Sequence, residues 1–378
     1  MKLVFLSNFM NHHQKPLCDA LYSRLGNDFV FVSTQTLPDE RKVMRYKDYS
    51  GACAYELQSY RSEKDYKTAL KVAYKSDVVI LGAAPDEFIV ERMKENKLTF
   101  RYSERYFKQG KWKIFDPRVL KARYQHDIRY RNKNLYMLCA SAYTAQDCRL
   151  IHAYPNKTYK WGYFPEVKKY DDIEKIIRLK HPASILWVGR LIRWKHPEDS
   201  IRVAERLKQN GYPVELNIIG EGDQELVLRT LIKKKGLTDC VHLHGFMAPE
   251  KVREWMEKAD IYLFTSDRNE GWGAVLNESM NSACAVVACD EIGSVPYLIR
   301  NSENGFTYNR HKKEDLYNKV KYLLDHEDEK YRVQRNAYFT MTNLWNADVA
   351  VDRLIELIKS FIQGKDTKYM DGPCSKDF

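Results

Sequence analysis

Nowhere does this 378-residue chain carry an apolar run approaching the ~18 residues of a membrane-spanning helix, so nothing in it reads as a span. Nor does the opening read as a secretory leader. The opening MKLVFLSNFM has one lysine and a short apolar run that breaks at Ser7-Asn8, with no small-residue cleavage site, and reads as a first buried strand. The eight cysteines are scattered, with neither Cys-x-x-Cys nor a His-Cys group at zinc spacing. That disfavours a zinc ligand set and leads us to expect buried free thiols in a reducing cytosol. Between the first strand and the helix opened by Pro16, residues Asn8–Gln14 contain no glycine. The Gly-x-Gly-x-x-Gly turn of a dinucleotide site is therefore absent, which weakens any hydride-transfer reading. There is no sequence-level repeat and no low-complexity tract.

What is present describes a globular protein, at 44% hydrophobic and 30% charged residues. Its length makes two domains the natural expectation. The net charge of +11 is unevenly placed: residues 1–150 hold 27 basic and 17 acidic residues, so nearly all the excess lies there. Lys97 to Lys133 holds twelve basic and three acidic residues interleaved with Phe100, Tyr102, Tyr106, Phe107, Trp112, Phe115, Tyr124 and Tyr130. Such a face suits an anionic partner, whether lipid headgroups, a lipid-diphosphate or nucleic acid; a solvated face with no partner is the alternative.

Strand-like runs alternate with helical patterns along the first half: Lys2–Ser7, Phe29–Ser33, Asp77–Leu81, Leu98–Tyr102 and Leu135–Cys139. Residues 154–182 turn polar and irregular and read as a linker. A second alternation follows, with strands at Ser184–Val188, Val214–Ile219, Val241–His244 and Ile261–Thr265, and helices opening at Pro197, Asp223 and Pro249. The expectation is an α/β protein of two facing Rossmann-like, parallel-sheet domains with a cleft between them. The last helix is read at Ala347–Ile362, and the polar tail after Gly364 is expected to fray.

The most informative stretch is Asp267–Asp290. A strand ending near Ser266 is expected to lead through Glu270-Gly271-Trp272-Gly273 into a helix from Gly273 to Ala283, then into strand Ala285–Ala288. A helix that starts on glycines offers free N–H groups and a positive dipole end to an anion such as a phosphate. Glu278, a turn and a half inside, could accept hydrogen bonds from hydroxyls such as those of a ribose. A glycine-started helix with two solvated glutamates is the competing reading.

Five short patterns in order over residues 184–306 resemble the donor domain of family-4 retaining glycosyltransferases, which have the GT-B fold. Glu270 and Glu278 enclose seven residues, with Gly271 and Gly273 in place. Gly189-Arg190-Leu191, Lys195-His196-Pro197, Ile219-Gly220-Glu221-Gly222 and His244-Gly245-Phe246 supply the others. The resemblance implies that Arg190 and Lys195 contact the diphosphate of a nucleotide-sugar donor beside Gly189 and the backbone of Trp272, Gly273, Ala274 and Val275. It puts Glu278 on the ribose, Glu270 on the transferred sugar and Phe246 near the base. Arg190 as an ordinary ion-pairing residue, or Lys195 as a solvated helix-start residue, stays open.

The resemblance also divides the chain into an acceptor-binding domain, residues 1–170 plus a C-terminal helix of about 345–364 crossing back to it, and a donor domain, residues 180–340. His12, His13 and Glu104 are the acceptor-side candidates. Arg101-Tyr102-Ser103-Glu104-Arg105 resembles a branch associated with bacterial surface polysaccharides. Two departures bear on the sugar: Asn281-Ser282-Ala283-Cys284 stands where a small-residue-plus-glycine step is usual, and Ile292-Gly293-Ser294-Val295-Pro296-Tyr297 replaces Gly-Gly-x-Pro-Glu. No Asp-x-Asp occurs, so neither a metal nor any other cofactor is expected.

The resulting expectation is a cytoplasmic, metal-independent retaining glycosyltransferase acting on a saccharide or lipid-linked saccharide and not on nucleic acid. Contact of the basic face with the inner side of an anionic membrane is left open. A nucleotide-sugar epimerase on the same fold, or a non-catalytic sugar-nucleotide-binding relative, would share the donor contacts.

Overall fold

The structure, a computed structural model, describes residues 1–43 and 47–378. It divides into two compact units, residues 1–166 with 346–378, and residues 167–345. The first unit is built on seven parallel strands: β1 (Leu3–Ser7), β2 (Phe29–Ser33), β3 (Glu56–Gln58), β4 (Val78–Leu81), β5 (Thr99–Ser103), β6 (Leu135–Cys139) and β7 (Thr158–Lys160). Their order is β3-β2-β1-β4-β5-β6-β7. Every residue of β1 and β4 is buried, as near-continuous apolar runs must be when helices cover both faces of a parallel sheet. The last helix, Ala347–Ile362, starts where Asn346 accepts from the Val349 amide, and its Phe361 ring stacks on Tyr136 in this unit.

One buried cation braces that sheet. Arg92, fully buried on helix Glu87–Lys94, donates to the carbonyls of Ala73, Ser76, Asp77 and Leu98 and to Thr99 Oγ1. Burial pulls its pKa down to about 10, since it has carbonyl dipoles and no contacting carboxylate as partners.

The second unit has six parallel strands: β8 (His181–Val188), β9 (Glu215–Ile219), β10 (Val241–Leu243), β11 (Ala259–Phe264), β12 (Ala285–Cys289) and β13 (Phe306–Tyr308). They lie in the order β10-β9-β8-β11-β12-β13. In each sheet the order reverses beside the first strand, between β1 and β4 and between β8 and β11. Such a reversal opens a crevice at the carboxyl ends of the strands, where open α/β sheets take their ligands.

Two expectations need correction. The tail after Gly364 does not fray. Cys374 donates its amide to the Lys160 carbonyl, the Lys160 amide donates to Ser375, Thr158 Oγ1 donates to the Asp377 carbonyl, and Tyr159 pairs antiparallel with Lys376. Polar residues cover the β7 edge through backbone bonds, which hydrophobicity does not register. Residues 154–182 are likewise more than a linker, for they contain β7, buried Trp161 and Phe164, and helix Ile173–Arg178. Buried Lys180 fastens the end of this stretch to the second unit by donating to the carbonyls of Met256, Glu257, Ala259 and Ser282. No helix among the described residues is long and apolar enough to cross a membrane.

Candidate active site

The crevice of the second unit is formed by backbone approaching backbone. At Gly220 (φ +140°) a Cβ would lie 1.8 Å from the carbonyl oxygen of Gly189, so the loop after β9 reaches the loop after β8 only because Gly220 carries no side chain. At Gly273 (φ +79°) a Cβ would lie 2.3 Å from the Phe264 ring. That glycine lets the chain leaving β11 turn into the helix, which runs from Val275 to Asn281 and so is shorter than the Gly273–Ala283 expected.

Hydrogen bonds then stitch the loop after β8 to the loop after β11. Trp187 Nε1 donates to Thr265 Oγ1 at 2.8 Å, Thr265 Oγ1 donates to the Lys195 carbonyl at 2.7 Å, and the Asp267 amide donates to the Trp194 carbonyl at 3.0 Å. Within this frame Lys195 Nζ donates to Glu270 Oε2 at 2.6 Å, and Ser266 Oγ donates to the same oxygen at 3.0 Å. Both side chains are largely buried, so each charge has the other as its counter-ion in a poorly solvated place.

Glu278 contrasts with this pair. Its carboxylate accepts no hydrogen bond from the described residues; burial raises its pKa, and Arg253 nearby pulls the other way. An acceptor-rich group held without donors has unused capacity for hydroxyls. The guanidinium of Arg190 is exposed and makes no hydrogen bond or ion pair with the described residues. Gly189 closes β8 against Lys195. Gly271 is buried, whereas Ala274 and Val275 open the helix. The Trp272 side chain belongs to the core: its Nε1 donates to Asn277 Oδ1 and its ring packs near Tyr297 and Trp345, so only its backbone is available to a ligand. Phe246, partly exposed after β10, donates its amide to Glu221 Oε1 at 3.2 Å.

Sequence reasoning gave no role to His196, although it quoted the residue. Its backbone is left-handed (φ 49°), its Nδ1 lies 3.2 Å from Glu198 Oε1, and its Nε2 lies 3.2 Å from Asp267 Oδ2. Burial disfavours its charge, but the bonds to Asp267 and Glu198 outweigh that and raise its pKa to about 9. Arg310 also approaches Asp267, at 3.6 Å. The imidazolium thus ties the Lys195 turn to the loop bearing Glu270; adjacency to Lys195 was the only signal for it.

In the first unit the corresponding crevice holds the other candidates. His12 and His13 follow β1 with ring centroids 3.7 Å apart. His13 stacks near Tyr163, whose hydroxyl donates to Glu104 Oε1 at 2.6 Å, and Lys108 pairs with the other Glu104 oxygen. Burial, then His12, then Arg41 lower the His13 pKa to about 3, so the ring is neutral, and its buried Nδ1 has no partner. The structure therefore joins His13 and Glu104 through Tyr163, a residue to which sequence reasoning gave no role.

Comparison with known proteins bears on this arrangement. Residues 169–339 match the model of the family described as glycosyl transferases group 1. Over 133 residues the chain is 36% identical to the amylovoran biosynthesis glycosyltransferase AmsK of Erwinia amylovora, covering 34% of this chain and 32% of AmsK. Over 148 residues it is 34% identical to an N-acetylgalactosaminyltransferase of Campylobacter jejuni named for a diphospho-undecaprenol-linked acceptor, covering 39% and 38%. The matched stretches thus span roughly a third of these relatives' length. Among solved structures, Anabaena HepE, crystallised with UDP, superposes with a TM-score of 0.71 at 15% identity over 95% of this chain and 100% of HepE, a likeness of fold. Residues 169–339 are therefore a glycosyl transferases group 1 domain, carried in a chain whose two Rossmann-like parallel sheets have the α/β fold of the GT-B glycosyltransferases.

Proposed function

We propose that the chain is a glycosyltransferase that moves a sugar from a nucleoside-diphosphate sugar to a saccharide or lipid-linked saccharide, with retention at the anomeric carbon and without a metal. The observation that carries this reading is the Lys195–Glu270 pair at the β8/β11 crevice, set beside a carboxylate, Glu278, that has no donor of its own. In the proposed complex Lys195 and the exposed Arg190 neutralise the diphosphate and the charge that grows on it as the sugar leaves. The amides of Trp272 to Val275 add dipoles of the same sense. Glu270 accepts from a sugar hydroxyl, Glu278 from the ribose, and Phe246 lies against the base. Positioning and leaving-group stabilisation supply the rate, so no side-chain nucleophile is invoked. The acceptor is assigned to the first unit, at His12, His13 and Glu104. A lipid-linked acceptor would bring this cytoplasmic enzyme to the inner face of a membrane as a peripheral protein.

The test is a transfer assay over nucleotide-sugar and acceptor panels, with product stereochemistry read by NMR. Transfer with retained configuration, unchanged by EDTA, is expected. Release of free epimer without acceptor, or an inverted product, overturns the reading.

A further inference from the structure

Between β5 and β6 the chain makes a long excursion, of which residues 108–131 carry eight Lys and Arg against two acids, Asp116 and Asp127. The excursion is firmly tethered. Buried Arg101 donates to Asp86 Oδ1 at 2.9 Å, to Tyr154 Oη at 3.1 Å and to the His126 carbonyl at 3.0 Å. Asp127, fully buried, accepts from the hydroxyls of Tyr154 and Tyr106 and from Arg123. Ile114, Val119, Ile128 and Tyr130 pack inward against the apolar core of the unit.

Those inward residues account for only part of the apolar content. The short turn Lys111–Phe115 and the helix Pro117–His126 present a second set to solvent: Trp112 is 59% exposed, Phe115 85%, Leu120 44% and Tyr124 58%. Four large apolar side chains within thirteen residues, on a backbone anchored from beneath, are a costly surface to leave in water. Lys111, Arg118 and Lys121 are exposed among them, and Lys113 lies over the Trp112 ring at 4.6 Å. Asp116 is the one acid on this surface, and it is taken up by Arg118.

We propose that residues 111–124 are a docking face for an anionic lipid surface. Phe115 and Leu120 enter the acyl boundary, Trp112 and Tyr124 sit at headgroup level, and Lys111, Lys113, Arg118 and Lys121 meet the phosphates. The charge favours lipid over a second copy, since two faces of this sign repel. It favours lipid over nucleic acid because the face carries exposed aliphatic and phenyl groups and almost no amide or hydroxyl side chains that would read base edges. The inference rests on this surface alone and stands apart from the donor site in the second unit.

The experiment is vesicle flotation of the full chain with phosphatidylcholine vesicles, alone or mixed with phosphatidylglycerol. Binding to the mixed vesicles at least about tenfold over the neutral ones, weakening as salt rises from about 0.1 M to about 0.5 M, is expected. Trp112→Ser combined with Phe115→Ser, and separately Lys111→Glu combined with Lys121→Glu, should each cut binding about tenfold or more, with unchanged melting temperature and unchanged transfer to a soluble acceptor. Equal binding to both vesicle types, or by the wild type and both variants, overturns the proposal. So does retention on single-stranded DNA without vesicle binding, or a solution mass that halves in the Trp112/Phe115 variant, which would put nucleic acid or a second copy on this face.

Discussion

Lys195 and Glu270, separated by 75 residues of sequence, are ion-paired at 2.6 Å where β8 and β11 reverse the sheet order. Each is the other's only ion-pair partner among the described residues. Removing one strands the opposite charge in a largely buried place, so Lys195→Ala or Glu270→Gln should each cost about 3 kcal/mol of stability. The double variant should lose less than the sum, by a coupling of about 1–3 kcal/mol in urea melts. Additive losses would show that the pair contributes nothing to the frame.

Glu278→Gln should behave in the opposite way. With its folded pKa raised, Glu278 carries an ionised carboxylate that is disfavoured once the pH exceeds the ordinary value for a glutamic acid. The amide removes that penalty, so stability at pH 7 should hold or rise slightly. Nucleotide affinity should fall about tenfold or more, because a ribose hydroxyl loses a charged acceptor. Urea melts check the first half and calorimetric titration with nucleotide the second; loss of fold stability without loss of affinity would make Glu278 a structural residue.

His196 predicts a pH window. Its folded pKa, about 9, lies above the ordinary 6.5. The stability it contributes is therefore fully present below pH 6.5 and is lost as pH rises through about 9. Asp267 and Glu198 bond its ring, while Asp199 and Arg310 act on it through charge alone. Melts from pH 6 to pH 9.5 should show the wild type losing up to about 3 kcal/mol relative to His196→Asn, which tolerates the left-handed backbone. Parallel curves for the two proteins would contradict the assignment.

Arg92→Met should destabilise the first unit by about 3 kcal/mol or more, since it leaves several buried carbonyls without a donor. Lysine should not rescue it, as an ammonium cannot span the same set of carbonyls. The urea midpoint reports the effect.

Truncation after Gly364 distinguishes a frayed tail from a packed one. The structure predicts a loss of about 2–4 kcal/mol, because buried Cys374 and the backbone bonds to Thr158 and Lys160 go with it. A fully tolerated truncation would contradict the packing.

The last case shows where the sequence was readable. β1, β4 and β12 announce themselves because two-sided burial demands uninterrupted apolar residues. β3, β7 and β13, three residues each, carry almost no period, and β10, equally short, was legible only with Gly245-Phe246 marking its end. The tail is held by main-chain bonds and has no pattern at all. At the site, the seven-residue spacing of Glu270 and Glu278 is a local motif and could be read directly. The pairing of Lys195 with Glu270 depends on β8 lying beside β11, and His196 acts through a loop 71 residues away, so both required the strand order. The free thiols expected from scattered cysteines are found, since none of the eight is bridged.

The most direct measurement is thermal unfolding across a panel of nucleoside diphosphates and nucleoside-diphosphate sugars. A donor present at one hundred times its dissociation constant should stabilise the fold by about 2.7 kcal/mol, and Lys195→Ala should abolish the shift. No shift with any uridine, guanosine, adenosine or cytidine diphosphate sugar would contradict a donor site at Lys195, Glu270 and Glu278.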